Sequence, residues 1–238
     1  MRVDDFDYDL PATLIALHPA DRRDASRMLV VDRAAGAIRH GVFADLPASL
    51  RPGDLLVLND TKVLPARLFG RRATGGRVEF LLVEKLDGSR EGRETWLAVA
   101  GASKRLRAGE TVALDAGIEA RIEAAEGDGF FRVELPAGVE SVLDDRGLVP
   151  LPPYIAARRE EVAADRTRYQ TVYAARPGSC AAPTAGLHFT PEAFSALAGQ
   201  GVGVARLTLH VGPGTFLPLR VEEVARHRMH EEAFEIPE

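Results

Sequence analysis

Two histidines stand in loops whose neighbours are too small to keep a ligand out. Thr184, Ala185 and Gly186 precede His188, and Gly212, Gly214 and Thr215 follow His210. An imidazole donates or accepts a proton near neutral pH. Small residues let backbone N–H groups approach a ligand, and glycine tolerates the positive φ that such loops need. Leu187 and Phe189, and Leu209 and Val211, flank the histidines and should pin each loop to a core. A tight turn around a structural histidine has the same local composition. Two such loops joined by one helix and one strand point instead to a shared pocket.

The elements that must hold these loops are readable. Thr190-Pro191-Glu192 supplies an N-cap, a proline at the first helical position and an acid in the first turn. The spacing predicts a helix from Pro191 to about Ala198, stopped at Gly199 or Gly201, and then a strand from Val202 to Leu209. His210 then sits at the C-terminal end of a strand, where open α/β sheets place their ligands. Asn59 and Asp60 directly follow the apolar run Leu55 to Leu58, which reads as a strand buried on both faces. Their side chains either meet a ligand or cap the turn. Asp165 and Tyr169, four apart, would share one helix face. His227 and His230 would do so too, but a zinc site needs more ligands than that pair, so no metal is expected. Cys180 reads as a small buried hydrophobe.

At 238 residues, 46% hydrophobic and 27% charged, the chain has an ordinary globular composition and room for one large domain or two small ones. One cysteine makes no internal disulfide, which suits a reducing, cytoplasmic setting. The acidic N-terminus lacks the apolar run of a signal peptide, and no stretch approaches the ~18 apolar residues of a membrane span. A net charge of −5 is the wrong sign for a general nucleic-acid binder. RNA contact would have to come from local clusters: Arg22, Arg23 and Arg27; Arg67 to Arg77; Lys104, Arg105 and Arg107; or Arg158 and Arg159. Arg67 to Arg77 is the least compensated run, so Arg71, Arg72 and Arg77 are the expected RNA contacts.

Texture divides the chain. Residues 1–66 mix strands and helices, with a helix expected near Phe43 to Leu50. From about Leu68 to Val133 short alternating strands recur at roughly 10-residue spacing, as in a small barrel or sandwich. Helical texture returns at Val139 to Arg146, followed by the proline-rich hinge Val149 to Ile155. The expected fold class is a mixed, three-layer α/β domain (1–66 and 149–238) with a small β-barrel domain (67–148) inserted in it.

The strings G-D-L-L-V-L-N-D-T-K-V-L-P-A-R-L-F-G (Gly53 to Gly70), V-P-L-P-P-Y-I, D-R-T-R-Y-Q-T-V-Y-A, A-A-P-T-A-G-L-H-F and T-L-H-V-G-P-G-T-F closely resemble the S-adenosylmethionine:tRNA ribosyltransferase-isomerase family of queuosine biosynthesis. The resemblance runs from the first residues to the last and keeps the order of the motifs. It implies the same two-part architecture. It also implies transfer of the ribosyl portion of S-adenosylmethionine to 7-aminomethyl-7-deazaguanine in a tRNA anticodon, with rearrangement to epoxyqueuosine and release of adenine and methionine. S-adenosylmethionine would be a co-substrate, with no resident cofactor, and the enzyme a monomer. His188 and His210 become the catalytic candidates. Asn59, Asp60, Arg67, Thr184, Ala185, Gly186, Phe189, Gly212, Gly214 and Thr215 become substrate contacts. Family members continue beyond Glu238, so the chain is expected to be a shortened version with an incomplete sheet. The competing expectations are an inactive, truncated tRNA-binding protein and a small-molecule transferase or hydrolase.

Overall fold

The computed structural model describes residues 1–90 and 92–237. Near the N-terminus, β1 (Arg27–Asp32) and β2 (Ala37–Val42) form an antiparallel hairpin. Phe43–Ser49 is helical, as expected, but winds as a 3-10 segment with Pro47 inside it. Proline lacks the N–H that an α-helical ladder needs there. The next strands are β3 (Leu55–Asn59) and β4 (Thr61–Val63).

Alternation then builds the barrel. Strands β5 (Arg67–Arg72), β6 (Arg77–Arg90), β7 (Arg93–Ala102), β8 (Thr111–Leu114), β9 (Glu119–Gly127) and β10 (Phe130–Pro136) close in the order β10-β7-β6-β5-β8-β9. Every second residue points inward, so Phe80, Leu82, Trp96, Ile122, Val133 and Leu135 fill the interior. Gly70 is obligatory on β5: a Cβ there would lie 2.5 Å from the Ala113 carbonyl oxygen, too close for any side chain.

The chain leaves the barrel through α1 (Val139–Arg146) and the single-turn helices α2 (Pro153–Ala156) and α3 (Asp165–Arg168). It continues into β11 (Arg176–Ser179), α4 (Pro191–Gly199), β12 (Gly203–Leu209) and the short β13 (Phe234–Glu235). The α4–β12 unit matches its expected limits to within a residue, and the Thr190 hydroxyl caps α4 by accepting from Ala193 N–H at 3.2 Å. β12 runs parallel to β3, and β11 parallel to β4. Leu197 of α4 packs with Leu58, Tyr173, Phe189 and Val202 to form the second core. The architecture is thus mixed α/β with a closed barrel, its parallel pairing confined to two short seams.

Three local expectations need correction. β3 is buried on one face only, for Leu58 is 5% exposed but Leu55 and Val57 are 62% and 55%. Asp165 and Tyr169 do not share a helix face, because α3 ends at Arg168. Asp165 instead grips the Arg159 guanidinium with both oxygens, at 2.6 and 2.8 Å. His227 closes a 3-10 turn and no helix continues to His230, so the two imidazoles are not presented at helical spacing.

The joint between barrel and hinge rests on Glu94, which is 2% exposed. Its carboxylate accepts from Trp96 Nε1–H at 3.0 Å and from the N–H groups of Gly138 and Val139 at the start of α1, and the Lys85 ammonium lies 2.6 Å away. Burial alone pushes this carboxyl up, but the Lys85, Trp96 and Gly138 hydrogen bonds outweigh it and hold the group below its ordinary value. A depressed carboxyl contributes stability that is present above the ordinary carboxylate range and is lost as pH falls through the folded value. Glu94→Gln should therefore destabilise the protein at pH 7 by about 1–3 kcal/mol, the cost of unpairing buried polar groups. In denaturant titrations at several pH values, the gap to the parent should narrow towards low pH. A gap independent of pH would contradict this account.

Candidate functional site

The strand ends β3–β4 and β12 meet at Asn59. Its Nδ2 donates to the Leu209 carbonyl at 2.8 Å, while its Oδ1 accepts from Leu209 N–H and Thr61 N–H. Asp60 adds a second tie: its Oδ1 accepts from the Thr208 hydroxyl at 2.7 Å, and its carbonyl accepts from Ala175 N–H. These two side chains, expected to contact a ligand, spend hydrogen bonds on seating the loop that carries His210.

His210 follows directly, and its ring is held on two sides. Nδ1 lies 2.8 Å from Thr61 Oγ1, which lies 2.9 Å from Ser179 Oγ, which accepts from Val211 N–H at 2.8 Å. Thr61 and Ser179 are 0% and 1% exposed. Against the ring lies Gly178, at φ +148°, where a Cβ would come within 2.7 Å of the imidazole Cε1. No described protein group takes up Nε2. The ring lines a cavity of about 440 Å³ between the barrel and the α/β part, together with Trp96, Phe130, Gly212, His230 and Glu232. Gly212 N–H donates to Glu232 Oε1 at 2.8 Å, and Gly214 sits against the His230 ring. Thr215 is exposed on the 3-10 turn Pro213–Phe216.

His188 occupies a different place. Thr184–His188 is a 3-10 turn, and the His188 ring tilts against Phe43 with centroids 5.4 Å apart. It lines a second cavity, of about 500 Å³, with His18, Tyr154, Tyr169, Asp165 and Thr184. Gly186 is pressed on Tyr173, since a Cβ would fall 2.1 Å from the phenol oxygen. Phe189 is in the core, and Ala185 is exposed. Neither cavity contains both imidazoles, so the single pocket expected for them is replaced by two.

Cys180 is buried beside the first cavity. Burial, reinforced by the Glu232 carboxylate, pushes its thiol up to about 12, which keeps it neutral and inert. Burial raises the Tyr169 phenol to about 12 as well, so it enters the second cavity as a neutral hydrogen-bonding group. Arg67 is tied to Glu79 at 2.6 Å and lies over the Phe69 ring, in a third cleft that also contains Arg77. Thr61, Gly178, Ser179 and Glu232 were not singled out from sequence. The first three stand inside or beside the motif strings, but a buried hydroxyl and a glycine at close approach carry no local signature of a site.

Comparison with known proteins agrees with the motifs. The family model described as queuosine biosynthesis protein matches residues 3–238. S-adenosylmethionine:tRNA ribosyltransferase-isomerases of Anaeromyxobacter dehalogenans strain 2CP-C and Anaeromyxobacter sp. strain Fw109-5 are 53% and 54% identical to this chain. Each alignment covers 99% of the chain and 68% of the relative. The corresponding protein of Pelobacter propionicus is 50% identical with the same coverage. A crystal structure of the S-adenosylmethionine tRNA ribosyltransferase from Thermotoga maritima matches at 33% identity over 87% of this chain and 58% of its own, with a TM-score of 0.35. With a family model spanning nearly its whole length and relatives above half identity, this chain belongs to the queuosine biosynthesis protein family.

Proposed function

We propose that the chain acts as an S-adenosylmethionine:tRNA ribosyltransferase-isomerase. It transfers the ribosyl part of S-adenosylmethionine to 7-aminomethyl-7-deazaguanine in a tRNA anticodon, isomerises it to epoxyqueuosine, and releases adenine and methionine. S-adenosylmethionine is a co-substrate, and no resident cofactor or metal takes part. The enzyme works as a monomer in the cytoplasm.

The observation that carries the mechanism is the Thr61–Ser179–His210 arrangement. Thr61 has one hydroxyl proton and three acceptors in view: Ser179 Oγ, His210 Nδ1 and, at 3.5 Å, the Arg176 carbonyl. The carbonyl is too far for a good O–H···O bond. Giving the proton to Ser179 would strand the serine's own proton in a buried site, which is costly. Giving it to Nδ1 lets Ser179 donate to Thr61 and satisfies every hydrogen. The neutral His210 ring then carries its proton on Nε2 and is a donor. It supplies a hydrogen bond to the departing adenine, whose nitrogen takes its proton from solvent.

Glu84, Glu231 and Glu232, with Lys85, line the first cavity, which suits a sulfonium nucleoside. That cavity must also admit the amine that bonds to the ribosyl carbon. Arg27 and Arg168 edge the second, which suits the neighbouring RNA strand. His188 has no described hydrogen-bond partner on its ring, so it is placed to contact RNA in the second cavity. The proton that the amine loses goes to a carboxylate lining the first. Thr184 lines that second cavity, and Gly212 the first.

Two measurements test this reading. Nitrogen-15 NMR should show His210 as the Nε2–H tautomer, and Thr61→Val should abolish that preference while leaving the fold cooperative. Finding Nδ1 protonated in the neutral parent ring would reverse the role given to His210. Adenine release should require both S-adenosylmethionine and the modified tRNA. His210→Ala should lower kcat by about 10²–10³-fold with a smaller effect on KM, and His188→Ala should raise KM for tRNA more than it lowers kcat. A parent protein that retains the tRNA without turnover would instead be a binding protein. Undiminished kcat in His210→Ala would remove His210 from the chemistry, and an unchanged KM in His188→Ala would remove His188 from the RNA contact.

A further inference from the structure

One end of the barrel carries cations that none of the chemistry above uses. Lys104, Arg105 and Arg107 are all exposed on the loop between β7 and β8, and no described carboxylate lies within ion-pair distance of them. The loop is not loose. Leu106, 3% exposed, is buried in the barrel core and anchors its middle. Gly109 N–H donates to the Ile122 carbonyl at 2.8 Å and Glu110 N–H to the Arg107 carbonyl at 3.1 Å.

Arg72, expected from sequence to contact RNA, is instead the strut beneath this loop. Its guanidinium forms a two-pronged pair with Glu110 and donates from Nη1 to the Lys104 carbonyl at 3.0 Å. Glu110 also accepts from Arg107 N–H at 3.2 Å. The one carboxylate lining the groove is therefore consumed by Arg72, and the two cancel in charge. Arg77, the second expected contact, lies over the Phe69 ring in the separate cleft; Arg71 remains exposed. What is left is a groove of about 900 Å³ whose rim of Lys104, Arg105 and Arg107 carries net positive charge on a fixed backbone.

We propose that this rim is the surface on which the phosphate backbone of the RNA substrate docks. It rests on the reading that the partner is tRNA, and it lies outside both histidine cavities. In a chain of net charge −5, long-range attraction for a polyanion is absent, so docking depends on a local cluster. The fixed backbone reduces what must be ordered on binding. Three cations engage at most three phosphates, and each contact contributes about 0.7–0.9 to the slope of log affinity against log salt.

The test compares the parent, Lys104→Ala/Arg105→Ala/Arg107→Ala and the charge-conserving Lys104→Arg/Arg105→Lys/Arg107→Lys variant. Binding of tRNA is followed by fluorescence anisotropy across a salt series, and adenine release is measured in parallel. The alanine variant should bind at least about tenfold more weakly at low salt, with the salt slope reduced by about 2. Its KM for tRNA should rise while kcat and thermal stability hold, and the charge-conserving variant should behave as the parent. Unchanged affinity and slope in the alanine variant would overturn the proposal. So would an equal loss in the charge-conserving variant, polyglutamate binding as tight as tRNA, or a parent that does not bind tRNA. If the parent releases adenine and the alanine variant keeps its KM, the surface is wrong and the activity stands. If tRNA binding depends on the rim but no adenine is released, the activity is wrong and the surface stands.

Discussion

The site depends on one amide. Asn59 ties the end of β3 to the end of β12 through two hydrogen bonds to Leu209, the residue before His210, and braces its own turn with a third from Thr61 N–H. Each such bond contributes a net ~0.5–1.5 kcal/mol, but the larger effect is geometric. Parallel strands cannot be joined by a tight turn, so nothing in the local chain sets their relative height. The β3–β12 register, Gly203 against Leu55 through Leu207 against Asn59, ends at this clamp. Beyond it both chains turn into loops, and the amide decides how they face each other. The seam thus positions the clamp, and the clamp positions the imidazole.

The barrel acts on the same site from the other side. Its wall provides Trp96 and Phe130 for the cavity that His210 lines, and its interior is the larger of the two main cores. Glu94 connects that wall to α1 and so to the hinge that returns the chain to β11. A rigid barrel and a short clamped seam together enclose a space that neither forms alone. Sites at such junctions are common because two rigid bodies can offer different chemistry to one ligand.

Much of this was legible in the sequence because it is periodic or punctuated. The barrel strands alternate, and α4 begins with Thr190-Pro191-Glu192 and stops at glycine, so both emerge near their expected limits. The face of β3 was misjudged because an unbroken apolar run looks the same whether one side or both are covered. Leu55 and Val57 point to solvent, and only Leu58 settles into the core. The small neighbours of the two histidines mark both loops, but local sequence does not show that the loops line different cavities. Thr61 and Ser179, over a hundred positions apart, meet only because β4 and β11 pair in parallel. Arg72 was misjudged because charge balance was counted along the chain, whereas its partner Glu110 arrives from another strand's loop.

Gly178 has one more consequence. Any side chain at this position would collide with the imidazole, so only glycine lets the ring keep the place in which Nδ1 meets Thr61. Behind it, Thr61 and Ser179 are sealed from water, and their hydrogen bonds stop at the Val211 amide, which cannot pass a proton on. The line of hydroxyls is therefore a dead end for conduction. It orients the ring without wiring it to solvent. The ring therefore meets the substrate through Nε2 alone, as a fixed hydrogen-bond donor.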